Sequence, residues 1–309
     1  MKKVVLTGGT GFIGRHVVPS LLRGGYEVHA VTHGELPKSG HERLHWHQFN
    51  LMDSIALESF MSAVQPTHLM HLAWYTKHGE FWCAEENLAW VSASLELLRS
   101  FSAHGGQRVV MAGSCAEYDW QVDGCYSETS TPCRPATLYG MSKDALRRVG
   151  EKFCEVSNVS FAWSRLFFLY GPGEWEGRFV PTMIRGLLRG EHVSASDGKQ
   201  RRDFMYVEDA AEAFVTLLGS RAVGCFNIAS GQSCSLRQIG EQLTQLIGKG
   251  KIDFGVLPRK EGEPNVLEAD NGRLCRELSW QPKFSLQEGL ERSIEYFRHS
   301  LDVRENSGV

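Results

Sequence analysis

The sequence predicts an α/β protein: a Rossmann-like, doubly wound parallel sheet with a smaller, discontinuous C-terminal lobe. Three observations predict it. A glycine-rich stretch follows a short apolar run near the start, strand and helix patterns alternate through the first half, and the periodicity weakens afterwards. A chain of 309 residues is long enough for a sheet domain and a second lobe. We expect residues 1–171 and 204–229 to form the sheet domain and residues 172–203 and 230–309 to form the second lobe.

The glycine-rich stretch, TGGTGFIG at residues 7–14, lies between a predicted strand and a predicted helix. Gly8 lets the chain turn off the strand, and Gly14 lets the helix pack closely on it. Gly11 has no Cβ, so a diphosphate can approach the backbone and the free N–H groups at the helix start. The position therefore predicts a dinucleotide site rather than an ordinary tight turn. The expected contacts are Gly8, Thr10, Gly11, Phe12, Ile13 and Gly14.

Alternating strand and helix patterns continue to about residue 171, which predicts a parallel sheet covered by helices on both faces. The chain then leaves the sheet, returns between about residues 204 and 229, and leaves again. The predicted strands are 3–6, 27–31, 44–49, 68–72, 108–111 and 161–169, and the predicted helices are 15–22, 86–104 and one that begins near 138.

Composition excludes several classes of protein. The net charge is −3, which gives no electrostatic footprint for nucleic acid or an anionic membrane. No apolar run approaches the ~20 residues that span a bilayer, and Lys2 and Lys3 lead directly into the first strand. The eight cysteines contain no C-x-x-C pair and are interpreted as reduced thiols. We expect a cytoplasmic protein with neither a nucleic-acid nor a membrane partner.

Three histidines, His41, His45 and His47, were considered as metal ligands. His45 and His47 share one face of a predicted strand, but no carboxylate or cysteine joins them at close spacing in the sequence. We interpret them as surface histidines and expect no metal site.

Tyr139 and Lys143 stand four residues apart at the start of a predicted helix, so their side chains project from the same face. A phenol titrates near ~10, and a neighbouring ammonium lowers its pKa. Tyr139 can then exchange a proton with a substrate oxygen while hydride moves at the adjacent carbon. Ser114 follows a strand at the carboxyl edge of the sheet, where its hydroxyl can hold the same oxygen. We predict that these three residues are catalytic, and not that Tyr139 and Lys143 form a surface pair.

Several further motifs accompany the glycine loop and the Tyr139–Lys143 pair. They are HLA at 71–73, YGPG at 170–173 and RDFMYVED at 202–209. With these motifs the chain resembles, over nearly its whole length, the extended short-chain dehydrogenase/reductases, which include nucleotide-sugar epimerases, dehydratases and ketoreductases. The resemblance implies an NAD(P)-dependent enzyme with a nucleotide-sugar substrate between the dinucleotide-binding domain and a substrate-binding lobe.

The resemblance also implies individual site residues. Arg202 corresponds to the arginine that grips a substrate diphosphate, for which a guanidinium fork is suited, rather than to half of a surface pair with Asp203. Arg178 lies near the place of a family histidine, and with Ser114 it is expected to contact substrate. Phe168 replaces an asparagine that contacts substrate. Besides Tyr139 and Lys143, the implied cofactor contacts are Thr32, His33, Asn50 (in place of an aspartate), Leu51, Leu72, Ala73, Asn87 and Phe167.

The form of the cofactor depends on the end of the second strand. An NAD-specific site usually carries an acid there, which binds the ribose 2′-hydroxyl. Alignment with the family puts Thr32 at this point, followed by His33, and Arg15 and Lys38 are cations that can approach a 2′-phosphate. The sequence favours NADP(H), and NAD(H) stays possible.

The residues after Ser114 bear on the reaction. Cys115 and Ala116 replace the acid pair of the family's 4,6-dehydratases, and Cys115 is one residue away from the cysteine position of its 3,5-epimerase/reductases. The reactions that remain need only the transfer of a hydride and one proton. We predict an NADPH-dependent reductase of a nucleotide-4-keto-6-deoxysugar. The alternatives are an NAD-dependent nucleotide-sugar 4-epimerase, an NADPH reductase of a small carbonyl compound, and a non-catalytic NADP sensor.

A homodimer is also expected. The helix at 86–104 and the helix that carries Tyr139 resemble the paired four-helix interface of this family. Phe81, Trp82 and Trp90 can add apolar area to such an interface.

Overall fold

The structure is a computed structural model that describes residues 2–38, 40–122, 124–259 and 262–307. The ends of the two predicted units, Met1 and residues 308–309, lie outside the described residues. The strands, in chain order, are β1 (Lys3–Thr7), β2 (Glu27–Thr32), β3 (Leu44–Gln48), β4 (His68–His71), β5 (Arg108–Ser114), β6 (Cys125–Tyr126), β7 (Ser160–Leu166), β8 (Phe168–Tyr170), β9 (His192–Ala195), β10 (Arg201–Tyr206), β11 (Gly224–Ile228), β12 (Ser233–Ser235), β13 (Lys251–Phe254) and β14 (Val266–Ala269).

The helices match the predicted ones closely wherever both bounds were predicted. Within the described ranges, none of them is both long and apolar enough to cross a membrane. The helices are α1 (Gly14–Arg23), α2 (Ser54–Val64), α3 (Glu86–Ala103), α4 (Leu138–Val156), α5 (Phe179–Leu188), α6 (Val207–Gly219), α7 (Leu236–Ile247), α8 (Gly272–Leu278) and α9 (Leu286–Ser307).

A seven-stranded sheet in the order β11-β7-β5-β4-β1-β2-β3 forms the centre of the protein, and all of its strand pairs are parallel. Leu21 of α1 and Phe214 of α6 are buried on one face, and Phe60, Leu97 and Leu146 from α2, α3 and α4 are buried on the other. Each such side chain contributes about 1.5–3 kcal/mol when it is removed from water. The predicted Rossmann-like, doubly wound fold is confirmed.

The predicted strand at 161–169 is in fact two strands. β7 lies in the central sheet, and the N–H of Phe167 then donates to the Ile228 carbonyl at 3.2 Å. The chain next leaves the sheet, and β8 pairs in parallel with β10. Because both strands are buried, the apolar run continues across the switch, and the sequence pattern gives no sign of it.

The C-terminal part builds a second sheet in the order β12-β10-β14-β6, with β8 also on β10, and a separate β9–β13 pair. Helices α5, α7 and α9 share a core with these strands. In the segment predicted to return to the sheet, residues 204–229, α6 packs on the central sheet and β11 is one of its strands. β10, which begins at Arg201, lies in the second sheet instead. The division into 1–171 with 204–229 and 172–203 with 230–309 stays a proposal.

Candidate active site

The glycine loop between β1 and α1 forms a bare backbone cradle. Gly8 has φ +74°, and a Cβ there would lie 2.8 Å from the Ala73 nitrogen. A Cβ on Gly14 would lie 2.0 Å from the Gly8 carbonyl oxygen, so α1 packs too closely for any side chain. At Gly11 a Cβ would have the Gly8 oxygen as its near neighbour at 3.2 Å. With the positive end of α1 beside it, this surface fits a dinucleotide diphosphate.

The end of β4 is fixed against this loop by buried polar contacts. The Thr7 hydroxyl is 2.6 Å from His71 Nδ1 and accepts from the Ala73 N–H at 3.2 Å. His71 Nε2 is 2.9 Å from the Ser94 hydroxyl. Burial, with the nearby Lys143 charge, lowers the pKa of His71 to about 3, so its ring is neutral. Ala73, with Leu72 before it, is thereby held beside Gly8, and its predicted contact with the cofactor stays a prediction.

The end of β2 carries no acid. Thr32 is its last residue, and the Thr32 hydroxyl accepts from the Gly34 N–H at 3.1 Å. The Thr32 carbonyl accepts from the Phe49 N–H at 3.0 Å, which brings the turn at Asn50 and the buried Leu51 alongside. His33 and Lys38 are exposed on the next segment. The structure thus groups Thr32, His33, Asn50 and Leu51 at one edge of the sheet.

Ser114 and Tyr139 meet at the carboxyl edge of β5. The hydroxyl of Ser114, the last residue of β5, lies close enough to the Tyr139 hydroxyl to lower the pKa of the phenol. Thr137 caps α4 by accepting from the Gly140 N–H at 3.1 Å. A Cβ at Gly140 would lie 2.2 Å from the Ala116 carbonyl oxygen, so the first turn of α4 packs directly on the turn after Ser114. Glycine at this position therefore sets the distance between the two hydroxyls.

Burial raises the pKa of Tyr139 well above its usual 10, and the nearby Ser114 hydroxyl only partly offsets this. Phe81, Trp82 and Trp74 surround the ring with centroid distances of 4.9, 5.8 and 6.5 Å. The sequence-based expectation that Lys143 lowers this pKa is wrong for the structure, because burial outweighs it. The phenol is protonated at neutral pH and is therefore able to donate.

Lys143 is held away from the phenol. Its Nζ donates to the Ala112 carbonyl at 2.8 Å and lies 3.7 Å from the centre of the Trp74 ring, against 6.0 Å for the Tyr139 ring. Burial lowers the pKa of Lys143 to about 7, and the charge of Glu117 opposes this effect. Cation–π contact with Trp74 favours the charged form in this nearly dry position.

Glu117 is a buried carboxylate beneath the site that sequence reasoning missed. It accepts from the Ser114 N–H at 2.7 Å, from Trp163 Nε1 at 2.9 Å and from Arg165 Nε at 2.8 Å. Its side chain has no exposed surface. The Ser-x-x-Glu spacing of Ser114 and Glu117 is that of a capping box, and it is the sequence signal that could have revealed Glu117.

The two predicted substrate arginines lie near the catalytic residues. Arg178 Nε is 3.1 Å from Glu174 Oε1, and the charge of Arg178 acts on Tyr139. Burial raises the pKa of Glu174, a second residue that the sequence did not reveal, to about 8. Arg202 is only 2% exposed, and its charge acts on Cys115, the residue after Ser114.

Arg202 does not pair with Asp203. Its Nη2 approaches Glu263 Oε1 at 2.7 Å without the alignment of a hydrogen bond, and its guanidinium lies 5.5 Å from the Phe168 ring centre. Asp203 instead accepts from the Ser230 N–H at 2.8 Å and from neighbouring groups. The surface-pair interpretation of Arg202 is therefore excluded.

Two predicted cofactor contacts, Asn87 and Phe167, also have partners within the protein. The Asn87 amide accepts from Trp74 Nε1 at 2.9 Å and donates to the Phe81 and Ala84 carbonyls at 2.7 and 2.8 Å. It holds the loop that carries Phe81 and Trp82. Phe167 packs with Tyr118 and Tyr126 in a separate small core.

Comparison with known proteins identifies the family of the chain. The sequence model described as the NAD dependent epimerase/dehydratase family matches residues 4–229. The chain belongs to this family. The extended short-chain dehydrogenase/reductase assignment is confirmed, and with it the expectation of an NAD(P)-dependent enzyme of the nucleotide-sugar epimerase and dehydratase group.

Relatives of the family are similar over most of their length. UDP-glucuronic acid decarboxylase 1 of Xenopus tropicalis is 26% identical over 322 residues, which cover 99% of this chain and 74% of that protein. CDP-abequose synthase of Salmonella typhimurium is 24% identical, with 94% and 97% covered. The UDP-glucose 4-epimerase of Thermotoga maritima, solved with UDP-glucose, is 26% identical with a TM-score of 0.86, covering 97% and 99%. MoeE5, solved with UDP-glucuronic acid and NAD, is 30% identical with a TM-score of 0.84, covering 96% and 99%.

Proposed function

We propose that this protein is an NADPH-dependent reductase that transfers hydride to the ketone of a nucleotide-linked 4-keto-6-deoxysugar. The observation that carries the proposal is the proton donor beside Ser114 at the carboxyl edge of β5: Tyr139, which is protonated at neutral pH. Ala116 takes the place of a second acid, so elimination has no general acid of its own. One hydride and one proton complete a ketone reduction.

Each catalytic residue has a defined role in the proposed reaction. The bound nicotinamide supplies the hydride. Ser114 holds the carbonyl oxygen by a hydrogen bond, and Tyr139 donates its phenolic proton to that oxygen as it becomes an alkoxide. Lys143 holds the nicotinamide ribose, and its charge stabilises the phenolate that remains on Tyr139. The cradle of Gly8, Gly11 and Gly14 holds the diphosphate.

The surroundings of Tyr139 support a deoxysugar as the substrate. Phe81 and Trp82 flank the ring, and Trp120 lies 5.9 Å from Trp82, so the wall beside the reacting carbon is aromatic. Such a wall accommodates a 6-methyl group without leaving polar atoms unpaired. Arg202 supplies the cation for a diphosphate, and relatives named for UDP-linked and CDP-linked sugars support a nucleotide on the substrate.

A second candidate is an NAD-dependent nucleotide-sugar 4-epimerase. It is favoured by the structural similarity to the Thermotoga maritima UDP-glucose 4-epimerase and by the NAD bound to MoeE5. The same three catalytic residues serve both reactions, because epimerisation is an oxidation followed by a reduction at one carbon.

Net consumption of cofactor separates the two candidates. The protein is incubated with NADPH and each member of a panel of nucleotide-4-keto-6-deoxysugars, and the nicotinamide absorbance is followed. The reductase consumes NADPH in proportion to product. Formation of product at constant absorbance supports the epimerase instead, and turnover of a small ketone but of no nucleotide sugar supports the small-carbonyl alternative.

Cofactor preference is expected to follow from Thr32. Without an acid at the end of β2, a 2′-phosphate meets no repulsion, and the exposed His33 and Lys38 lie close in sequence. We expect a lower Kd for NADP than for NAD by titration calorimetry. Thr32→Asp should reverse the order, whereas Thr32→Ser should keep it. Tenfold tighter binding of NAD by the unchanged protein would contradict this prediction.

Arg202 is expected to bind substrate rather than to act in the chemistry. Arg202→Met should raise KM for the nucleotide sugar roughly 10–100-fold, the effect of one or two charge-assisted hydrogen bonds, with a smaller change in kcat. Arg201→Ala, a change at the exposed neighbour, is the control and should leave KM unchanged. An unaltered KM in Arg202→Met would favour a substrate without a diphosphate.

A homodimer and a cytoplasmic location are further parts of the proposal. Leu88 on α3 and Met141, Val149 and Val156 on α4 are exposed apolar residues on two helices packed together, whereas Phe81, Trp82 and Trp90 pack around Tyr139 and Trp74 within the chain. Light scattering should give twice the chain mass, and Val149→Glu should give the monomer mass. A monomer for the unchanged protein would refute the dimer.

All eight cysteines are free, which supports a reducing compartment.

A further inference from the structure

Four polar side chains form a cluster on one face of the central sheet, outside the catalytic site. Glu27 and His29 lie on β2, and His45 and His47 lie on the edge strand β3. His29 is directly opposite His45 in the strand register, and residues two apart on a strand share a face. The sequence alone does not reveal this cluster, because Glu27 and His29 lie about eighteen residues before His45 and His47 and meet them only through the pairing of β2 with β3.

The donor atoms of Glu27, His29 and His45 are already close together. His29 Nε2 is 3.1 Å from Glu27 Oε1, His45 Nε2 is 3.8 Å from the same oxygen, and one donor atom from each residue lies within 4.8 Å of the others. Ligands at 2.0–2.1 Å around a tetrahedral Zn²⁺ are about 3.3 Å apart. The observed spacings therefore require only small side-chain movements to hold such an ion.

We propose that Glu27, His29 and His45 form a binding site for a divalent transition metal ion of the Zn²⁺ class, with water as the fourth ligand. Two imidazoles and one carboxylate are a donor set that suits Zn²⁺ rather than Mg²⁺ or Ca²⁺. The two strands that carry the ligands are hydrogen-bonded to each other, so the ligand positions are fixed by the backbone. His45 is 43% exposed and gives the ion access from solvent.

His47 supports this site by orienting His29. His47 Nε2 is 3.1 Å from His29 Nδ1. When the metal takes His29 Nε2, the ring proton resides on Nδ1 and is donated to His47. A hydrogen bond of this kind on the second ring nitrogen fixes the ligand tautomer.

The site joins the edge strand to the body of the sheet and does not take part in catalysis. Glu27 begins β2 and Thr32 ends it, a separation of about 17 Å at ~3.3 Å per residue. The active site lies at the far, carboxyl end of the strands. Metal binding should therefore raise the thermal stability, since an ion that binds only the folded chain stabilises it.

Zinc titration of the metal-free protein at pH 7.5 tests the proposal. We expect one Zn²⁺ per chain, a rise in Tm, and a loss of at least tenfold in affinity in His45→Ala and in Glu27→Gln. His192→Ala is the matched control, because His192 is also exposed and pairs with a carboxylate, Asp253, at 3.0 Å. This control should bind Zn²⁺ like the unchanged protein.

Cobalt substitution tests whether the free cysteines, rather than the proposed ligands, bind the metal ion. The Co²⁺-loaded protein should show no thiolate charge-transfer band, which supports nitrogen and oxygen ligands. Equal Zn²⁺ affinity in His45→Ala, a thiolate band, or no binding by the unchanged protein would each overturn the proposal. His45→Ala changes an exposed side chain, and an unchanged Tm without metal shows that it is folded.

Discussion

Replacing Tyr139 with phenylalanine is expected to lower turnover by about 10²–10⁴-fold, with little change in the Kd for NADPH. In the proposed reaction the phenolic hydroxyl is the proton donor, and phenylalanine keeps the ring that packs against Phe81 and Trp82. Only the transition state loses an interaction, so kcat falls while cofactor binding is retained. Steady-state kinetics with the active keto sugar, and fluorescence titration with NADPH, measure the two quantities.

Tyr26→Phe is the matched control for this experiment. Tyr26 is also buried, but it precedes β2 at the opposite end of the sheet from Ser114. It should leave kcat within a factor of about two. If Tyr139→Phe retained full turnover, Tyr139 would not be the proton donor, and the non-catalytic sensor would regain support.

Glu117→Ala is expected to lower the free energy of unfolding by about 3–5 kcal/mol. The change leaves the Arg165 guanidinium, only 2% exposed, with the Tyr118 hydroxyl and the Cys133 sulfur as polar contacts and, among the residues that the structure describes, no other carboxylate at bonding distance. It also removes the acceptor for the Ser114 N–H. Urea denaturation followed by tryptophan fluorescence measures the loss.

Glu151→Ala is the control for burial, because Glu151 also pairs with an arginine but is 46% exposed. A solvent-screened helical pair of this kind contributes only about 0.3–0.5 kcal/mol. Equal decreases in the free energy of unfolding for Glu117→Ala and Glu151→Ala would show that the buried ion pair contributes no more to stability than the exposed one.

The more conservative Glu117→Gln tests the electrostatic role of Glu117 through the pH dependence of the rate. Glu117 opposes the effect of burial on Lys143, whose pKa is about 7. Lys143 is charged below its pKa, so the rate of reduction should decline as pH rises through about 7. Without the Glu117 charge the pKa of Lys143 falls further, and the decline should move to lower pH. A profile identical to that of the unchanged protein would contradict this role.

The fold and the grouping of Ser114, Tyr139 and Lys143 at one edge of the sheet could be predicted because their signals are local. The glycine loop between β1 and α1 and the four-residue spacing of Tyr139 and Lys143 each lie within one short segment. The apolar runs likewise mark most of the strands within a residue or two. Side-chain direction follows directly from helical periodicity in such cases.

The partners of these residues could not be predicted, because they come from distant segments. Glu117 meets Trp163 and Arg165 across more than forty residues, and Trp74 covers Lys143 from the loop after β4. These contacts reverse the expected effect on Tyr139, since Lys143 bonds the β5 backbone and burial dominates the pKa of the phenol. Local sequence spacing does not reveal how completely a side chain is buried in the folded protein.

Hydride transfer from cofactor to sugar is tested most directly with NADPH deuterated at the transferable position. The protein is incubated with this cofactor and the nucleotide-4-keto-6-deoxysugar that supports turnover, and the product is analysed by mass spectrometry and NMR. The proposal predicts one deuterium per product molecule, at the carbon that was the ketone, and one NADP formed for each. Product without deuterium, formed while the NADPH concentration stays constant, would contradict the reductase proposal.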